Sequence, residues 1–347
     1  MDAPVQDAPV PVVSVKGLVK RYGDLIALDQ FDLRVSRGEI LGLLGPNGSG
    51  KSTNINCILQ LLSYDKGSVE LFGEPMAPAR YDLKRRIGVV PQQAAVFNEL
   101  TVRENIDYFC SLYVGDRTRR RALVDEAIEF VGLKDYERFR PKKLSGGLLR
   151  RLNIACGIAH KPELIFFDEP TVAVDPQSRN AILDGIVRLR DEGATVVYTS
   201  HYMEEVEQIC SRILIMDAGR TLAEGTLDEL KRSISTGEKI AIELPALSRA
   251  TRAASTVPAG SEAEAPEAAD PRVAKLLAAM DALPHVVRAE FDPETATLRL
   301  ACEASDHNLV DALAAVRAAR LAPGRIACEP PTLNDVFLEI TGRELRD

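Results

Sequence analysis

Short, continuous apolar runs alternate with helical patterns between residues 12 and 235. Runs of a few residues without alternation are typical of strands that are buried on both faces of a parallel sheet. The pattern therefore predicts an α/β domain over residues 12–235. Its clearest runs are EILGLLG (39–45), LIFFDEP (164–170), ATVVYTSH (194–201) and RILIMDAG (212–219).

A long stretch between the first two runs, residues 81–151, has apolar positions at helical spacing. It includes RTRRRALVDEAIEFVGL, a segment of mixed charge and helical length. Because this stretch separates two strands of one expected sheet, the sequence predicts a helical insertion, with a subdomain over about residues 94–160.

The pattern changes beyond residue 235. EKIAIELP alternates like a strand, RVAKLLAAMDAL has helical spacing, and VVRAEFD and ATLRLACE flank the turn PET like a hairpin. A helix capped by Ser305 and Asp306, a strand RIACEPP and a helix over 333–342 follow. The order β-α-β-β-α-β is the ferredoxin-like arrangement. It predicts a second, small α+β domain over residues 236–347.

Two segments have the composition of chain without a packed core. Residues 1–11 combine acids and prolines without a basic region, which predicts a disordered leader rather than a signal peptide. Residues 248–270, rich in Ala, Pro, Ser and Glu, predict a flexible insertion.

Composition narrows the class of protein. The net charge is −8 over 347 residues, so the chain lacks the excess of basic residues that is typical of nucleic-acid-binding proteins. The six cysteines are scattered without a C-x-x-C pair, which argues against structural zinc and disulfides. No apolar run approaches the roughly 18 residues of a membrane span. If the protein serves a membrane, we expect another chain to cross it.

The segment GPNGSGKST after the first run matches the phosphate-loop pattern G-x-x-x-x-G-K-[ST]. Its glycines allow several backbone N–H groups to face one phosphate chain, and the following helix adds its positive end. Lys51 would reach the β- and γ-phosphates, and the Ser52 hydroxyl would bind Mg²⁺. The predicted ATP-binding residues here are Gly45, Pro46, Asn47, Gly48, Ser49, Gly50, Lys51, Ser52 and Thr53.

Two later strands end in candidate catalytic residues. Asp168 and Glu169 follow LIFF, where an aspartate can hold Mg²⁺ and the next acid can polarise a water. Taken alone, the two acids would equally well cap a turn. His201 follows ATVVYTS and would contact the γ-phosphate, although a lone histidine at a strand end is more often structural.

The segment LSGGLLRR is a second candidate anion cradle. Ser145 and the backbone of Gly146 and Gly147 supply donors beside an expected helix start. The local interpretation is a serine helix cap, and the two are compatible because a helix N-terminus itself attracts anions.

Six motifs stand in one order: GPNGSGKST, VVPQQ, LSGGLLRR, LIFFDEP, VAVDP and TSH. With them, residues 12–230 resemble the nucleotide-binding subunit of ATP-binding-cassette (ABC) transporters. The resemblance implies a phosphate-loop NTPase fold, ATP and Mg²⁺ as cofactors, and ATP hydrolysis. By position it implies roles for Tyr22 (adenine stacking), Gln92 (link between Mg²⁺, water and membrane partner), Asp168 (Mg²⁺), Glu169 (general base), Asp175 (dimer interface) and His201 (switch histidine).

The resemblance also implies why one chain has two phosphate-binding motifs, GPNGSGKST and LSGGLLRR. Two subunits would pack head to tail, and Ser145, Gly146 and Gly147 of each would cover the γ-phosphate held by the other. Leu148 stands where many members have Gln, and Ala173–Val174 replaces the commoner Gly–Leu. We expect activity to survive the change at position 148, because the Ser and Gly donors matter more than that side chain. The change at 173–174 conserves polarity, with an altered loop at the dimer interface as the alternative. Neither departure indicates a dead site, because Asp168 and Glu169 are present.

Partners are implied in the same way. The resemblance implies a separate integral membrane permease as partner and a location at the cytoplasmic face of the membrane. Residues 94–110 resemble the surface of the ATP-binding subunit that forms a groove for the permease. Phe97, Tyr108 and Phe109 are candidate contacts, although core packing explains them equally well. No nucleic acid is expected.

The end of the chain, PTLNDVFLEITGRELRD, resembles drug-export members. Their additional domain implies a role in dimer assembly or regulation, with a small-ligand sensor as the alternative. The alternatives for the whole chain are a soluble ABC ATPase in a non-transport process and an ATP-gated scaffold. Glu169 favours turnover over a scaffold.

Overall fold

The structure, a computed structural model, describes residues 10–247 and 271–342. These residues form two compact units, one ending at Leu227 and the other beginning at Asp228. The sequence placed this boundary after residue 235, whereas the division lies within helix α8 (Leu227–Arg232). The predicted leader, apart from residues 10 and 11, and the predicted insertion at 248–270 lie outside the described residues.

The described residues of the first unit form ten strands and seven α-helices, and α8 begins at its last residue, Leu227. The strands are β1 (Val13–Tyr22), β2 (Leu25–Val35), β3 (Ile40–Leu44), β4 (Lys66–Leu71), β5 (Glu74–Pro75), β6 (Ile87–Val90), β7 (Leu164–Asp168), β8 (Thr195–Ser200), β9 (Arg212–Asp217) and β10 (Arg220–Gly225). The helices are α1 (Lys51–Ile58), α2 (Tyr81–Lys84), α3 (Val102–Ser111), α4 (Arg117–Phe130), α5 (Gly146–Ile158), α6 (Pro176–Asp191) and α7 (Met203–Ile209).

The main sheet has the order β10-β9-β3-β8-β7-β6, and only its β9–β10 pair is antiparallel. Its buried strands β3, β7, β8 and β9 are the four predicted apolar runs. Thr199 on β8 pairs with Leu43 on β3 and with Asp168 on β7, so these strands end at the same level. Because parallel strands point the same way, the residues that follow them meet at one edge of the sheet.

A second sheet, β2-β1-β4-β5, is antiparallel and was not predicted. Its inner residues join the core of the first unit, including Phe31 and Leu18, which are fully buried. The strand β6 was also missed, because four residues inside a stretch of helical spacing are too short to be separated from helix.

Helices α3, α4 and α5 form the predicted helical subdomain around an apolar cluster of their own. Each begins at a side-chain cap, supplied by Thr101, Asp116 and Ser145. Thr101 and Glu104 form a complete capping box, which satisfies two backbone donors at the start of α3.

The second unit contains β11 (Glu238–Glu243), α9 (Pro271–Asp281), β12 (Val286–Asp292), β13 (Thr297–Cys302), α10 (Asn308–Ala318), β14 (Ile326–Glu329) and α11 (Leu333–Thr341). Its sheet has the order β12-β13-β11-β14, entirely antiparallel, which is the ferredoxin-like strand order that the sequence predicts. Its core lies between this sheet and the apolar faces of α9 and α10.

One detail of the second unit was predicted wrongly. Helix α10 is preceded by His307 and has no side-chain cap. The Ser305 hydroxyl instead accepts the His307 N–H at 3.4 Å, because that short polar side chain bonds its own loop.

Within residues 10–247 and 271–342, no helix is both long enough and apolar enough to cross a membrane.

A buried histidine ties the helical subdomain to the main sheet. The ring of His160, just beyond α5, stacks on Tyr113 with centroids 3.7 Å apart, and its Nε2 lies 3.0 Å from the Ile87 carbonyl oxygen. A carbonyl only accepts, so Nε2 carries the hydrogen. Burial of the ring lowers the pKa of His160 to about 4.

We predict a pH-dependent contribution of His160 to stability. Its folded-state pKa lies below the ordinary value near 6.5, so the unfolded chain binds the proton first and stability is lost as the pH falls from 6.5 towards 4. Between pH 7 and pH 5 the free energy of unfolding of the wild type should fall by about 2 kcal/mol more than that of His160→Gln. Denaturant titrations measure both values, and equal losses would show that the buried ring does not resist protonation.

Candidate nucleotide site

The phosphate loop leaves the end of β3 and enters α1. Gly48 and Gly50 have φ of 81° and 106°, a backbone region that favours glycine. A Cβ on Gly45 would lie 2.4 Å from the Met216 carbonyl oxygen, so only glycine fits there. Gly50 is the N-cap of α1 and makes no side-chain cap, which leaves the first N–H groups of the helix available to an anion.

Lys51 lies inside the loop and is 5% exposed. Its Nζ donates to the carbonyl oxygens of Gly45 at 2.7 Å and Pro46 at 3.2 Å, and lies 3.4 Å from Glu169 Oε1. Burial lowers the pKa of Lys51, while the negative charge of Glu169 opposes that shift. The ammonium therefore links the phosphate loop to the acid at the end of β7.

Ser52 and Asp168, two of the three predicted magnesium ligands, are in direct contact. Ser52 Oγ donates to Asp168 Oδ2 at 2.8 Å, and Thr199 Oγ1 donates to Oδ1 at 2.8 Å. A hydroxyl and a carboxylate are the hard oxygen donors that Mg²⁺ prefers, so these residues fit the ion. The third predicted ligand, Gln92, bonds Glu169 instead of either of them.

Glu169 is the residue on which the predicted catalytic groups converge. It is 6% exposed, and its carboxylate lies 3.0 Å from Gln92 Nε2, 3.4 Å from Lys51 Nζ and 3.5 Å from His201 Nδ1. Gln92, Glu169 and His201 come from three separate segments, and the parallel sheet brings them together at its carboxyl edge.

The backbone explains how two adjacent acids both face the site. Neighbouring strand residues normally point to opposite faces. Glu169 leaves the strand with φ of 47°, in the left-handed region, and its N–H donates to Thr199 Oγ1 at 3.0 Å. Such a conformation is uncommon for a residue other than glycine, and it turns the Glu169 side chain towards Lys51.

Ser145 and Asp175 both cap helices in this structure. Ser145 Oγ accepts the Leu148 N–H at 3.4 Å, and Asp175 accepts the Ser178 N–H at 2.9 Å, which lowers the pKa of Asp175. A Cβ on Gly147 would lie 2.6 Å from Ser178 Oγ, so the two helix starts are closely packed. Within the described part of the chain, no hydrogen bond joins Ser145, Gly147 or Asp175 to the phosphate loop.

Tyr22 and the candidate docking aromatics lie at the surface of the first unit. Tyr22 is 46% exposed at the end of β1, with Lys20 Nζ 5.0 Å from its ring centroid. Phe97 and Tyr108 are 42% and 44% exposed and pack edge-to-face at 4.9 Å, whereas Phe109 packs against the helical core. Core packing therefore accounts for Phe109 and leaves the other two available to a partner.

A buried carboxylate behind the site was missed. Glu205 on α7 is 3% exposed and its Oε2 accepts three hydroxyls, those of Tyr198 at 2.6 Å, Thr171 at 2.8 Å and Ser200 at 3.0 Å. Thr171 follows Glu169 closely and Ser200 precedes His201, so Glu205 fixes the two segments relative to each other. An acid in the amphipathic segment HYMEEVEQI resembles a solvated helix residue, and no pattern in the sequence distinguishes it.

Arg150 and Thr199 were missed for a related reason. Arg150 is 6% exposed and bonds only backbone carbonyls around Gln92 and Glu169, and Thr199 bonds Asp168 and the Glu169 N–H. Arg150 acts on main-chain carbonyls, and Thr199 acts on the Asp168 carboxylate and a main-chain N–H, groups whose positions depend on the fold. A threonine near the end of the mainly apolar run ATVVYTS was the one available signal for Thr199.

Comparison with known proteins gives consistent matches. The family described as ABC transporter matches residues 28–172. The chain is 36% identical to the daunorubicin resistance ATP-binding protein DrrA3 of Streptomyces coeruleorubidus, over 96% of this chain and 97% of that protein. It is 36% identical to the Nod factor export ATP-binding protein I of Rhizobium etli, over 94% and 92% of the two chains.

A solved structure shares the fold of the first unit. The ATP-binding cassette MJ0796, a dimer in a post-hydrolysis state bound to ADP and Pi, aligns with a TM-score of 0.57 and 28% identity. The alignment covers 62% of this chain and 98% of the other.

The departure at Ala173 yields a prediction. Ala173 has φ of 58°, where a Cβ is unfavourable and glycine is not. We expect Ala173→Gly to raise the free energy of unfolding by about 0.5–1 kcal/mol, because relief of this strain exceeds the added flexibility of the unfolded chain. Ala122→Gly, on the exposed face of helix α4, is the control and should lower it by about 1 kcal/mol. Denaturant titration measures the free energy of unfolding of both variants. A lower value for Ala173→Gly than for the wild type would contradict the assignment of backbone strain to Ala173.

Proposed function

This chain belongs to the ABC transporter family as one of its ATP-binding, ATP-hydrolysing subunits, and we propose that it works as a head-to-tail homodimer. In this dimer each ATP is enclosed between the phosphate loop of one copy and the Ser145 segment (residues 145–147) of the other. The convergence of Lys51, Gln92 and His201 on the Glu169 carboxylate is the observation that carries the proposed hydrolysis of ATP at each of these sites.

Binding of ATP follows from the loop. The N–H groups of residues 45–53 and the start of α1 would surround the phosphates, and Lys51 would move its bonds from the loop carbonyls to phosphate oxygens. Tyr22 would stack on the adenine. Ser52 and Asp168 would hold Mg²⁺, with Gln92 as a third ligand after a change of side-chain direction. The ion supplies positive charge to the phosphate oxygens when bound.

Hydrolysis would use Glu169 as the general base. Its carboxylate is buried, is oriented by Gln92 and Lys51, and would accept a proton from the attacking water. His201 Nδ1 lies 3.5 Å from Glu169 Oε1, which supports its role as the switch that orients the water and the γ-phosphate. A scaffold without turnover has no use for this arrangement.

The division of the site between two chains rests on two observations. Ser145, Gly146, Gly147 and Asp175 lie at two adjacent helix starts and make no hydrogen bond with their own phosphate loop in the residues described. A similar cassette, MJ0796, is a dimer with ADP and Pi. We therefore assign these residues to the nucleotide of the partner copy.

Transport and export are proposed from the relatives. Their printed names refer to daunorubicin resistance and Nod factor export. We propose that this subunit drives export through a separate integral membrane permease and lies at the cytoplasmic face of the membrane only through that permease. Phe97 and Tyr108 are the proposed contacts. The second unit is proposed to assist dimer assembly or regulation.

Substitution of the base tests the catalytic assignment. In Glu169→Gln we expect ATP turnover to fall by at least about 100-fold, because the amide cannot accept the proton, while ATP binding persists. Light scattering should show an ATP-dependent dimer holding two nucleotides. Glu204→Gln, at an exposed acid on α7, is the control and should keep wild-type turnover. Unchanged turnover in Glu169→Gln would refute the assignment of the base.

Substitution of the exposed aromatics tests the partner. Phe97→Ser combined with Tyr108→Ser should reduce copurification of a multi-span membrane protein by about tenfold, since aromatic anchors dominate such contacts. Phe139→Ser, at another surface aromatic that is 42% exposed, should leave it intact. Affinity purification from detergent-solubilised membranes with identification by mass measures this. Equal recovery of the membrane protein with the double variant and with Phe139→Ser would show that the docking surface lies elsewhere.

A further inference from the structure

Arg150 lies in the second turn of α5 and is 6% exposed. A guanidinium has five N–H donors, and here all five are used by carbonyl oxygens. Nε donates to Pro170 (2.6 Å), Nη1 to Pro91 (2.9 Å) and Gln92 (2.6 Å), and Nη2 to Asp168 (3.3 Å) and Glu169 (2.5 Å).

These carbonyls belong to two loops, one after β6 and one after β7. The first carries Gln92, and the second begins after Asp168, the last residue of β7, and carries Glu169. Burial lowers the pKa of Arg150, and the negative charges of Asp168 and Glu169 oppose that shift. One positively charged fork therefore fixes both catalytic loops to a single point on α5.

Two further residues on the same face of α5 fix the helix to the first of these loops. Asn153 is 2% exposed, its Nδ2 donates to the Pro91 carbonyl at 3.0 Å and its Oδ1 accepts the Ala95 N–H at 3.0 Å. A Cβ on Gly157 would lie 2.8 Å from the Val89 carbonyl oxygen, so helix and strand are in backbone contact. Helix α5 cannot shift relative to the Gln92 loop without breaking these contacts.

The N-terminal end of the same helix is the Ser145 segment. Ser145 caps α5, and Arg150 follows it within two turns. A helix of this length moves as a rigid rod, so a displacement of the two loops at Arg150 also displaces Ser145 and Gly147.

We propose that Arg150 is a positioning residue that couples the two ATP sites of the dimer. It transmits the state of Gln92 and Glu169 in its own site to the Ser145 segment that covers the nucleotide of the partner. The inference rests on the proposed head-to-tail dimer and adds to it the residue through which the two sites communicate.

The test isolates the effect across the interface. Two differently tagged chains are copurified as heterodimers, one of wild-type sequence and one carrying Glu169→Gln, so that only the phosphate loop of the wild-type chain hydrolyses ATP. That remaining site is covered by the Ser145 segment of the Glu169→Gln chain. At the remaining site, adding Arg150→Met to the Glu169→Gln chain alters only the cover, since the wild-type chain keeps its own loops and Arg150. The loops that Arg150 fixes in the Glu169→Gln chain belong to the site that does not hydrolyse ATP.

We expect the added Arg150→Met to lower turnover of the remaining site by about tenfold and to increase the rate of dimer dissociation in ATP by a similar factor. Arg150→Lys, which keeps the charge but not the fork, should restore part of both. Arg151→Met, at the neighbouring arginine for which the described residues show no hydrogen bond, is the matched control and should change neither. The inference is overturned when turnover and dissociation rate are the same with and without Arg150→Met.

Failure of the proposed function has a different signature. If the Glu169→Gln chain does not dimerise with ATP, the head-to-tail site itself is wrong, whatever position 150 does. Circular dichroism and thermal unfolding establish that each variant is folded. If Arg150→Met does not fold, the comparison of Arg150→Lys with Arg151→Lys replaces it, and equal dissociation rates for those two overturn the inference.

Discussion

The position of one buried carboxylate, Glu169, is the constraint on which the site depends. It lies at the end of a parallel strand, on a left-handed backbone, with Lys51, Gln92 and His201 around its oxygens. Leaving a carboxylate in a nearly dry site without partners would be unfavourable, and this arrangement supplies them. Glu169 thus holds together the phosphate loop, the segment after β6 and the segment after β8.

Behind this carboxylate, two buried side chains, Arg150 and Glu205, hold the segments that carry the site. Arg150 binds the carbonyls of the loops after β6 and β7, and Glu205 binds the hydroxyls of Thr171, Tyr198 and Ser200. Leaving a buried polar group without its partner costs about 1–3 kcal/mol. Both networks are therefore strong constraints, and each ends within two residues of a proposed catalytic group.

Much of this organisation could be predicted from the sequence, because the strands of the main sheet are uninterrupted apolar runs and the residues with chemistry follow them directly. The sheet β2-β1-β4-β5 could not be predicted. Its strand β1 contains register shifts between Val15 and Lys20, and these break the two-residue period of the strand. Contacts to the backbone, such as those of Arg150, and the left-handed turn at Glu169 depend on the position of distant segments. The motif patterns contain residue types and spacings but no record of these contacts.

Photolabelling of mixed variants distinguishes a nucleotide that is enclosed by two chains from one that is bound by a single chain. A Lys51→Ala chain, which lacks the phosphate-binding ammonium, is mixed with a Ser145→Arg chain of different mass and with ATP carrying a photoreactive group on the γ-phosphate. We expect the label in the Ser145 segment of the Lys51→Ala chain, which covers a nucleotide bound by the other chain. Label confined to the Ser145→Arg chain, whose phosphate loop is intact, would contradict this expectation.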